Sequence, residues 1–327
     1  MKLAFRSGFV IAAVSLCAAV APILAQAQSW PSRPLKLISP YTPGGSTDNL
    51  ARLLAQKLSD VYKQSVIVEN RPGAGGVVGT DLVSKSPPDG YTLLMSSLAT
   101  MVIAPVVQKT AYDGLRDFTQ IVLLGGPPTA LAVGPALAEV KDLKAFIELA
   151  KAKPKTIGYG TTGNGTHGHI IGELFKQRAG IDIAHVPYKG AAPAVTDLVA
   201  GHVPAGSLTI ASLGQQLRAG RVRALASTAA KRLPDYPDVP TFAELGYPEL
   251  TSITWFGVAG PANMPAAVVE SLNREIRKAM HAPDVSERLR PEGFQIGDLD
   301  AAQTLEYVRN ETRRWQPIAR ASSARND

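Results

Sequence analysis

Short apolar strand patterns alternate with amphipathic helical patterns along most of the chain. Leu35–Ser39 is a short apolar run, and the leucines between positions 50 and 58 then share one face of a helix. The alternation continues through a helix at Asp142–Lys151, a strand at Thr156–Tyr159 and a helix at His167–Arg178. This order predicts an α/β fold, in which largely parallel sheets are flanked by helices and divided into two lobes.

The composition agrees with a folded chain and narrows its class. Of 327 residues, 45% are hydrophobic and 19% are charged, which argues against disorder. A single cysteine excludes a disulfide scaffold and any metal site built from several cysteines. The net charge of +7 leaves an anionic partner open, which could be nucleic acid, a membrane or a small acid.

The N-terminus has the pattern of an export signal. Lys2 and Arg6 precede the apolar run Phe9–Val20, and Ala25-Gln26-Ala27 forms an A-x-A cleavage site. We expect cleavage after Ala27 and a periplasmic location; an uncleaved anchor is the alternative. No later segment reaches the roughly 20 apolar residues that a membrane helix needs.

Cleavage would also change the chemistry of the chain. It removes Cys17 and two positive charges, which leaves a mature protein without cysteine. A lipid anchor on Cys17 is disfavoured, because Leu16 stands where a lipoprotein signal needs a small residue.

Three glycine-rich loops lie between predicted strands and helices, where α/β proteins bind ligands. The first glycine loop is YTPGGSTDNLAR, Tyr41–Arg52. Its two glycines allow close approach of a ligand, Ser46 or Thr47 can cap the helix, and the helix start attracts carboxylate or phosphate. A tight turn with an ordinary cap is the alternative.

The second glycine loop, VENRPGAGGVVG at Val68–Gly79, invites a dinucleotide interpretation that the spacing rejects. A G-x-G-x-x-G motif starting at Gly73 needs glycine at position 78, where Val78 stands. We expect a tight loop whose backbone borders a cleft.

The third glycine loop is GTTGNGTHGH, Gly160–His169. Thr166 is expected to cap the following helix, and neutral hydroxyl and amide groups suit an anion held without a cation. A glycine-rich connection without a ligand is the alternative.

Other combinations of residues carry weaker signals. His167 and His169 with Glu173 could suggest a metal site, but histidines two apart on a helix diverge, so no metal or other cofactor is expected. No nucleophile motif or phosphate-binding loop occurs, so no catalytic residue is assigned. Basic residues are mixed with acids, which disfavours nucleic acid. Trp255 and Phe256 are expected in the core, or less readily in a cleft wall.

The loops and several further segments carry a family resemblance. In chain order they are YTPGGSTDNLAR, VENRPGAGGVVG, PPDGYTLL, GTTGNGTHGH, HVPYKGAAPAVTDLVAGHV, AGRVRALA and LPDYPDVPTFAELG. Together they resemble the periplasmic solute receptors of tripartite tricarboxylate transporters, the Bug family. The likeness runs from about Trp30 to the C-terminal helix. Each motif is weak alone, but the ordered set is specific.

The resemblance implies a two-lobed periplasmic binding protein of type II, a flytrap with two mixed, mostly parallel sheets. It implies chain crossings near Gly126–Ala130 and Thr251–Thr254. Residues 28–128 and 253–327 would then form lobe 1, and residues 129–252 would form lobe 2.

The resemblance also implies a ligand and a partner. The ligand would be a small organic anion, a mono- or dicarboxylate, held by backbone and hydroxyl donors, often through water. The protein would be a monomer, not an enzyme, and would deliver the ligand to membrane permease subunits. A ligand-sensing partner of a two-component sensor, or a secreted enzyme acting on a small acid, are the alternatives.

Carried over by position, the resemblance assigns ligand-binding residues to both lobes. These are Tyr41, Thr42, Gly44, Gly45, Ser46, Gly75, Gly76, Ser97, Thr162, Gly163, Asn164, Gly165, Thr166, His167, Tyr188, Lys189 and Asp197. Asp197 could orient an amine or a water or be structural, and Lys189 could be a solvated lysine. Val203–Leu213 departs from the family in being small and neutral, which predicts a roomier or less charged end of the pocket.

Overall fold

The computed structural model describes residues 30–323, and the compact unit that begins at Arg33 carries all the elements below. The export signal predicted at residues 1–27 lies outside the described part. Within residues 30–323, no helix combines the length and the apolar character needed to cross a membrane.

Within the described residues, eleven strands form two sheets. The first sheet contains β1 (Leu35–Ser39), β2 (Val66–Asn70), β3 (Thr92–Ser97), β4 (Phe118–Gly126), β10 (Phe256–Pro261) and β11 (Gln295–Ile296), in the order β11–β4–β10–β3–β1–β2. The second contains β5 (Thr129–Val133), β6 (Gly158–Thr161), β7 (Ala184–Pro187), β8 (Ala205–Thr209) and β9 (Arg223–Ser227), in the order β7–β6–β8–β5–β9.

Helices flank both sheets, as the alternation predicts. They are α1 (Ser46–Tyr62), α2 (Val77–Ser84), α3 (Ala104–Val107), α4 (Leu143–Ala152), α5 (His167–Ala179), α6 (Ala191–Ala200), α7 (Ile210–Arg218), α8 (Ala266–His281), α9 (Pro283–Leu289) and α10 (Ala301–Ser323). A π-helix at Ala99–Ile103 leads into α3.

The sheets are mixed, and most strands in each share one direction. In the first sheet β10 and β11 run against their neighbours, and in the second only β5 does. β5 and β10 are the strands that follow the passages of the chain between the sheets. The predicted two-lobed α/β fold with mixed, mostly parallel sheets is therefore confirmed.

The chain leaves the first sheet at the end of β4, Gly126, and enters the second at Thr129. It returns between β9 and β10, after a 3-10 turn at Pro248–Leu250. The lobe boundaries given above for residues 128/129 and 252/253 stay a prediction.

Side chains cap some helix starts and not others. Asp300 and Gln303 form a capping box at the start of α10: the Gln303 N–H donates to Asp300 Oδ1 at 2.8 Å, and the Asp300 N–H donates to Gln303 Oε1 at 3.0 Å. At α1 the predicted cap is wrong, because Gly45 occupies the N-cap and no side chain caps the helix. Thr166 does precede α5, but its hydroxyl donates to the Gly163 carbonyl instead of capping.

Some elements were not predicted. β8 consists mostly of small residues, and β10 is buried along its whole length. Neither strand therefore shows the alternating pattern of a half-buried strand. Trp255 is buried in the core as expected, whereas Phe256 lies in a cavity wall.

The C-terminal helix α10 fastens the returning crossing to the core. Glu311 Oε2 accepts hydrogen bonds from the indole N–H groups of Trp255 at 3.1 Å and Trp315 at 2.9 Å. Arg314 donates to the carbonyls of Glu249 and Thr251, both at 2.7 Å. The helix thus packs against the first sheet and also fixes the backbone that links the two lobes.

Truncating Trp315 should destabilise the whole fold. Its side chain is fully buried, so Trp315→Ala leaves a large cavity and is expected to lower the free energy of unfolding by about 3–5 kcal/mol. Chemical denaturation followed by circular dichroism measures this loss. Arg309→Ala on the same helix, at a side chain 54% exposed, is the control and should change stability by no more than about 0.5 kcal/mol. A loss below about 1 kcal/mol for Trp315→Ala would contradict the anchoring role.

Candidate functional site

A cavity of about 560 Å³, here called the inner chamber, lies where the carboxyl ends of strands from both sheets face each other. Five helices begin at its walls: α1, α2, α5, α6 and α7, each following a strand. The first N–H groups of a helix have no partner within it, and the helix dipole makes them positive. The helix starts therefore present hydrogen-bond donors to the inner chamber, except where a side chain caps the helix, as Thr209 does at α7.

Most of the predicted ligand-binding residues meet in the inner chamber. Those that line it are Tyr41, Thr42, Gly45, Ser46, Gly75, Gly76, Ser97, Thr162, Gly163, Asn164, Gly165, Thr166, His167 and Lys189. The three glycine loops, far apart in sequence, come together because each follows the carboxyl end of a parallel strand.

Three predicted residues do not reach the inner chamber. Gly44 lies just beyond it, and its N–H donates to Asp48 at 2.9 Å. The Tyr188 hydroxyl donates to Asp197 at 2.7 Å, and His202 lies 3.4 Å from the same carboxylate. Asp197 is therefore engaged within the protein, which fits its structural role better than the orientation of a ligand.

A buried carboxylate outside the inner chamber fixes the conformation of the first glycine loop. Asp48 is 2% exposed and accepts hydrogen bonds from the Gly44 N–H and Arg52 at 2.9 Å and from Asn70 at 2.8 Å. Asn70 also donates to the Tyr41 carbonyl. Burial alone would raise the pKa of Asp48, but these hydrogen bonds hold it below its usual value. The negative charge is thus neutralised outside the inner chamber.

Hydroxyl groups form a second wall at the end of β3. Tyr41 and Ser97 lie within 3.3 Å through their hydroxyl oxygens, and Ser97 lies the same distance from the Thr100 hydroxyl. Burial raises the pKa of Tyr41, so the phenol stays protonated and remains a donor.

The second glycine loop needs glycine for steric reasons. Gly76 has φ +100°, and a Cβ there would lie 2.8 Å from the methyl of Thr100. Gln108 donates to the Ala74 carbonyl at 3.2 Å, which ties the loop to the residue after α3. The loop therefore presents backbone to the chamber, as expected.

Side chains of the third glycine loop and of β7 fix the conformation of this loop. The Gly165 N–H donates to His169 Nδ1 at 3.1 Å, and the Thr161 hydroxyl lies 2.7 Å from His185 Nε2. The rings of His169 and His185 stack with centroids 4.1 Å apart. These histidines support the loop from behind and do not line the chamber.

His167 connects the third glycine loop to both crossings. Its Nδ1 lies 2.8 Å from the Thr129 hydroxyl and 2.9 Å from the Thr254 hydroxyl, and its Nε2 lies 2.9 Å from the Ser252 hydroxyl. Ser252 can donate its own proton to the Leu250 carbonyl at 3.1 Å, so Nε2 carries the ring proton and Nδ1 accepts. Both ring nitrogens are engaged within the protein, so only the backbone of His167 is available to a ligand.

Several lining residues were missed by the sequence reasoning. Thr129 and Thr254 lie at the crossings, and Ser207, Thr209 and Ser212 lie at β8 and the start of α7. The Thr209 hydroxyl accepts from the Ser212 N–H at 3.3 Å and caps α7. Recognising β8 as a strand would have found this group, because it is another strand-to-helix connection.

Lys189 is the only charged side chain that lines the inner chamber within the described part of the chain. No carboxylate lines it, and no group of three or more potential metal ligands occurs among residues 30–323. Helix starts, hydroxyl groups and one lysine thus suit an anion.

Comparisons with known proteins agree with this geometry. Residues 50–323 match the family model described as tripartite tricarboxylate transporter family receptor. Protein BugT of Bordetella pertussis is 37% identical over 97% of this chain and 98% of its own length. A UPF0065 protein from Pseudomonas sp. strain P51 is 38% identical over 94% of this chain and 92% of its own.

Solved structures show the same fold. An R. palustris protein with adipate has a TM-score of 0.82 and 34% identity, and covers 90% of this chain and 98% of its own. MatC from Rhodopseudomonas palustris with bound malate has a TM-score of 0.80 and 30% identity, and covers 89% and 100%.

The buried histidines should make the fold acid-sensitive. Burial, with a smaller effect of Arg314, lowers the pKa of His167 to about 3, and burial likewise lowers the pKa of His169 and of His185. The unfolded chain takes up these protons near pH 6.5. The contribution of these histidines to stability is therefore full above that pH and is lost below it, by about 1.4 kcal/mol per pH unit toward pH 3 for His167 and for His185.

His167→Gln keeps a neutral donor and acceptor and removes one of these protons. We expect the slope of the unfolding free energy between pH 4 and 6 to fall by about 1.4 kcal/mol per pH unit. Urea denaturation at several pH values measures it, with near-ultraviolet circular dichroism at pH 7 as the check on folding. An unchanged slope would show that His167 is charged in the native state.

Proposed function

The chain belongs to the tripartite tricarboxylate transporter receptor family, and from that premise we propose that it is a periplasmic solute receptor for a small organic anion. The anion is a carboxylate, captured in the inner chamber between the two lobes and delivered to the membrane permease of such a transporter. The solved relatives with adipate and malate support a carboxylate as the ligand.

One observation carries the proposal: five helix N-termini converge on a chamber without a lining carboxylate. Unpaired N–H groups and the positive ends of helix dipoles stabilise an anion at a helix start. Neutral donors lose less hydration on burial than an arginine–carboxylate pair would. A carboxylate can therefore be held without a permanent countercharge.

The first and third glycine loops supply most of the donors in this proposal. The N–H groups at Ser46 and Thr47 begin α1, and those at His167 and Gly168 begin α5 from the other lobe. A ligand that bridges the two helix starts stabilises the closed arrangement of the lobes. Closure then gives the permease a surface that differs between the free and loaded receptor.

The function is tested by titrating the purified mature protein with mono- and dicarboxylates in a calorimeter. We expect at least one acid to bind with a Kd in the micromolar range or below, and the matching primary amide to bind at least tenfold more weakly, because it lacks the charge. Correctly folded protein that binds no acid in the panel would contradict the proposal.

Gly45 allows a test confined to the anion cradle. A Cβ at Gly45 would meet only the Thr42 carbonyl oxygen, at 3.8 Å, and its φ of −79° suits any residue. Gly45→Leu should therefore fold normally, yet fill the start of α1 and weaken the best acid at least tenfold. The thermal unfolding midpoint controls for folding. Gly165 is less suitable, because its φ of +70° would strain any side chain. Unchanged affinity in Gly45→Leu would exclude the first glycine loop from the site.

A further inference from the structure

The inner chamber continues into a second cavity of about 670 Å³, here called the outer chamber. Eight residues line both cavities, among them Gly45, Lys189 and Phe256. Gly45 has no side chain to separate them, and it stands at the start of α1. A ligand whose acidic group lies at that helix start therefore has a path into the outer chamber.

The walls of the outer chamber combine polar side chains with apolar ones. Leu50, Leu53, Val195 and Leu289 contribute aliphatic surface from three helices. Phe294 stacks on Phe256, with ring centroids 6.5 Å apart and an angle of 12° between the planes. The outer chamber thus offers aliphatic and aromatic surface beside the anion cradle.

Apart from Lys189, which the two chambers share, the polar groups of the outer chamber impose no net charge. Arg288 and Glu292 lie four residues apart and have opposite charges. Asn49, Gln215 and Gln216 carry neutral amides, and Gln216 Oε1 is shielded from solvent without a hydrogen-bond partner. A second carboxylate gains little here, whereas an uncharged tail with an apolar body loses little.

We propose that the outer chamber is a tail subsite, so that this receptor prefers carboxylates with an extended apolar or aromatic tail over short acids. The proposal rests on the proposed function, because it takes the acidic group to lie in the inner chamber. Each methylene or ring carbon removed from water in the outer chamber raises affinity by up to about fourfold. The phenyl ring of a suitable acid can pack against Phe294.

The test compares butyrate with 4-phenylbutyrate by calorimetry, in the wild-type chain and in two variants that fill the outer chamber. Ala192 on α6 and Gln215 on α7 are exposed and line only the outer chamber. Wild type should bind 4-phenylbutyrate at least tenfold more tightly than butyrate. Ala192→Trp and Gln215→Trp should each reduce that ratio to threefold or less, and should leave butyrate affinity within twofold.

Ala200→Trp is the matched control, because Ala200 is exposed on the same helix as Ala192 and lines neither cavity. It should keep the wild-type ratio. Equal wild-type affinity for both acids would overturn the tail subsite and leave the receptor function intact. The same holds if both filling variants keep the ratio or weaken both acids equally. Failure of every acid to bind would overturn both proposals.

Discussion

The placement of the candidate ligand site depends on one buried, neutral histidine. His167 opens helix α5, and its two ring nitrogens reach hydroxyl groups on both passages between the sheets. Its ring also packs edge-on against Trp315 of the C-terminal helix, with centroids 5.9 Å apart. The third glycine loop therefore has its position set by the crossings. A charged imidazole would have no acceptor for a proton on Nδ1 without rearranging Thr129 and Thr254, which agrees with its lowered pKa.

The buried carboxylates that organise the site lie outside the inner chamber. Asp48 organises the first glycine loop, and the buried Glu311 binds two tryptophans, yet neither carboxylate lines the inner chamber. Apart from Lys189, the walls present helix starts and hydroxyl groups, which need no desolvation of a permanent charge. The net charge of +7 contributes at most long-range attraction. Under the proposed function, short-range recognition of the anion is assigned to backbone N–H groups.

The sequence predicts the α/β fold well, because hydrophobic periodicity and strand-to-helix glycine loops are local properties. Most predicted helices and strands lie within a few residues of their observed limits. β8 was not predicted, because the residues of Ala205–Thr209 are mostly small and all neutral, as in a loop. The cap at Ser46 or Thr47 was wrong, because Gly45 is the N-cap of α1; Thr166 is the N-cap of α5 as predicted, but its hydroxyl donates to the Gly163 carbonyl three residues earlier.

Resemblance and topology predicted most of the residues that line the inner chamber, with errors where a side chain pairs with another residue of the protein. His167 lies at the chamber as expected. No local sequence pattern indicates that its ring nitrogens form hydrogen bonds with Thr129, Ser252 and Thr254, which are distant in sequence. Tyr188 and Asp197 pair with each other and so leave the site. The outer chamber could not be predicted from the sequence, because its walls come from α1, α6, α7 and α9, which are far apart along the chain.

The central claim is that backbone donors at helix starts hold the acid. A crystal structure of the mature chain with an acid found to bind it tests this directly. The account predicts that carboxylate oxygens accept hydrogen bonds, directly or through one water, from N–H groups at the starts of α1 and α5. A carboxylate held instead by an arginine or lysine side chain, or lying outside the inner chamber, would contradict it.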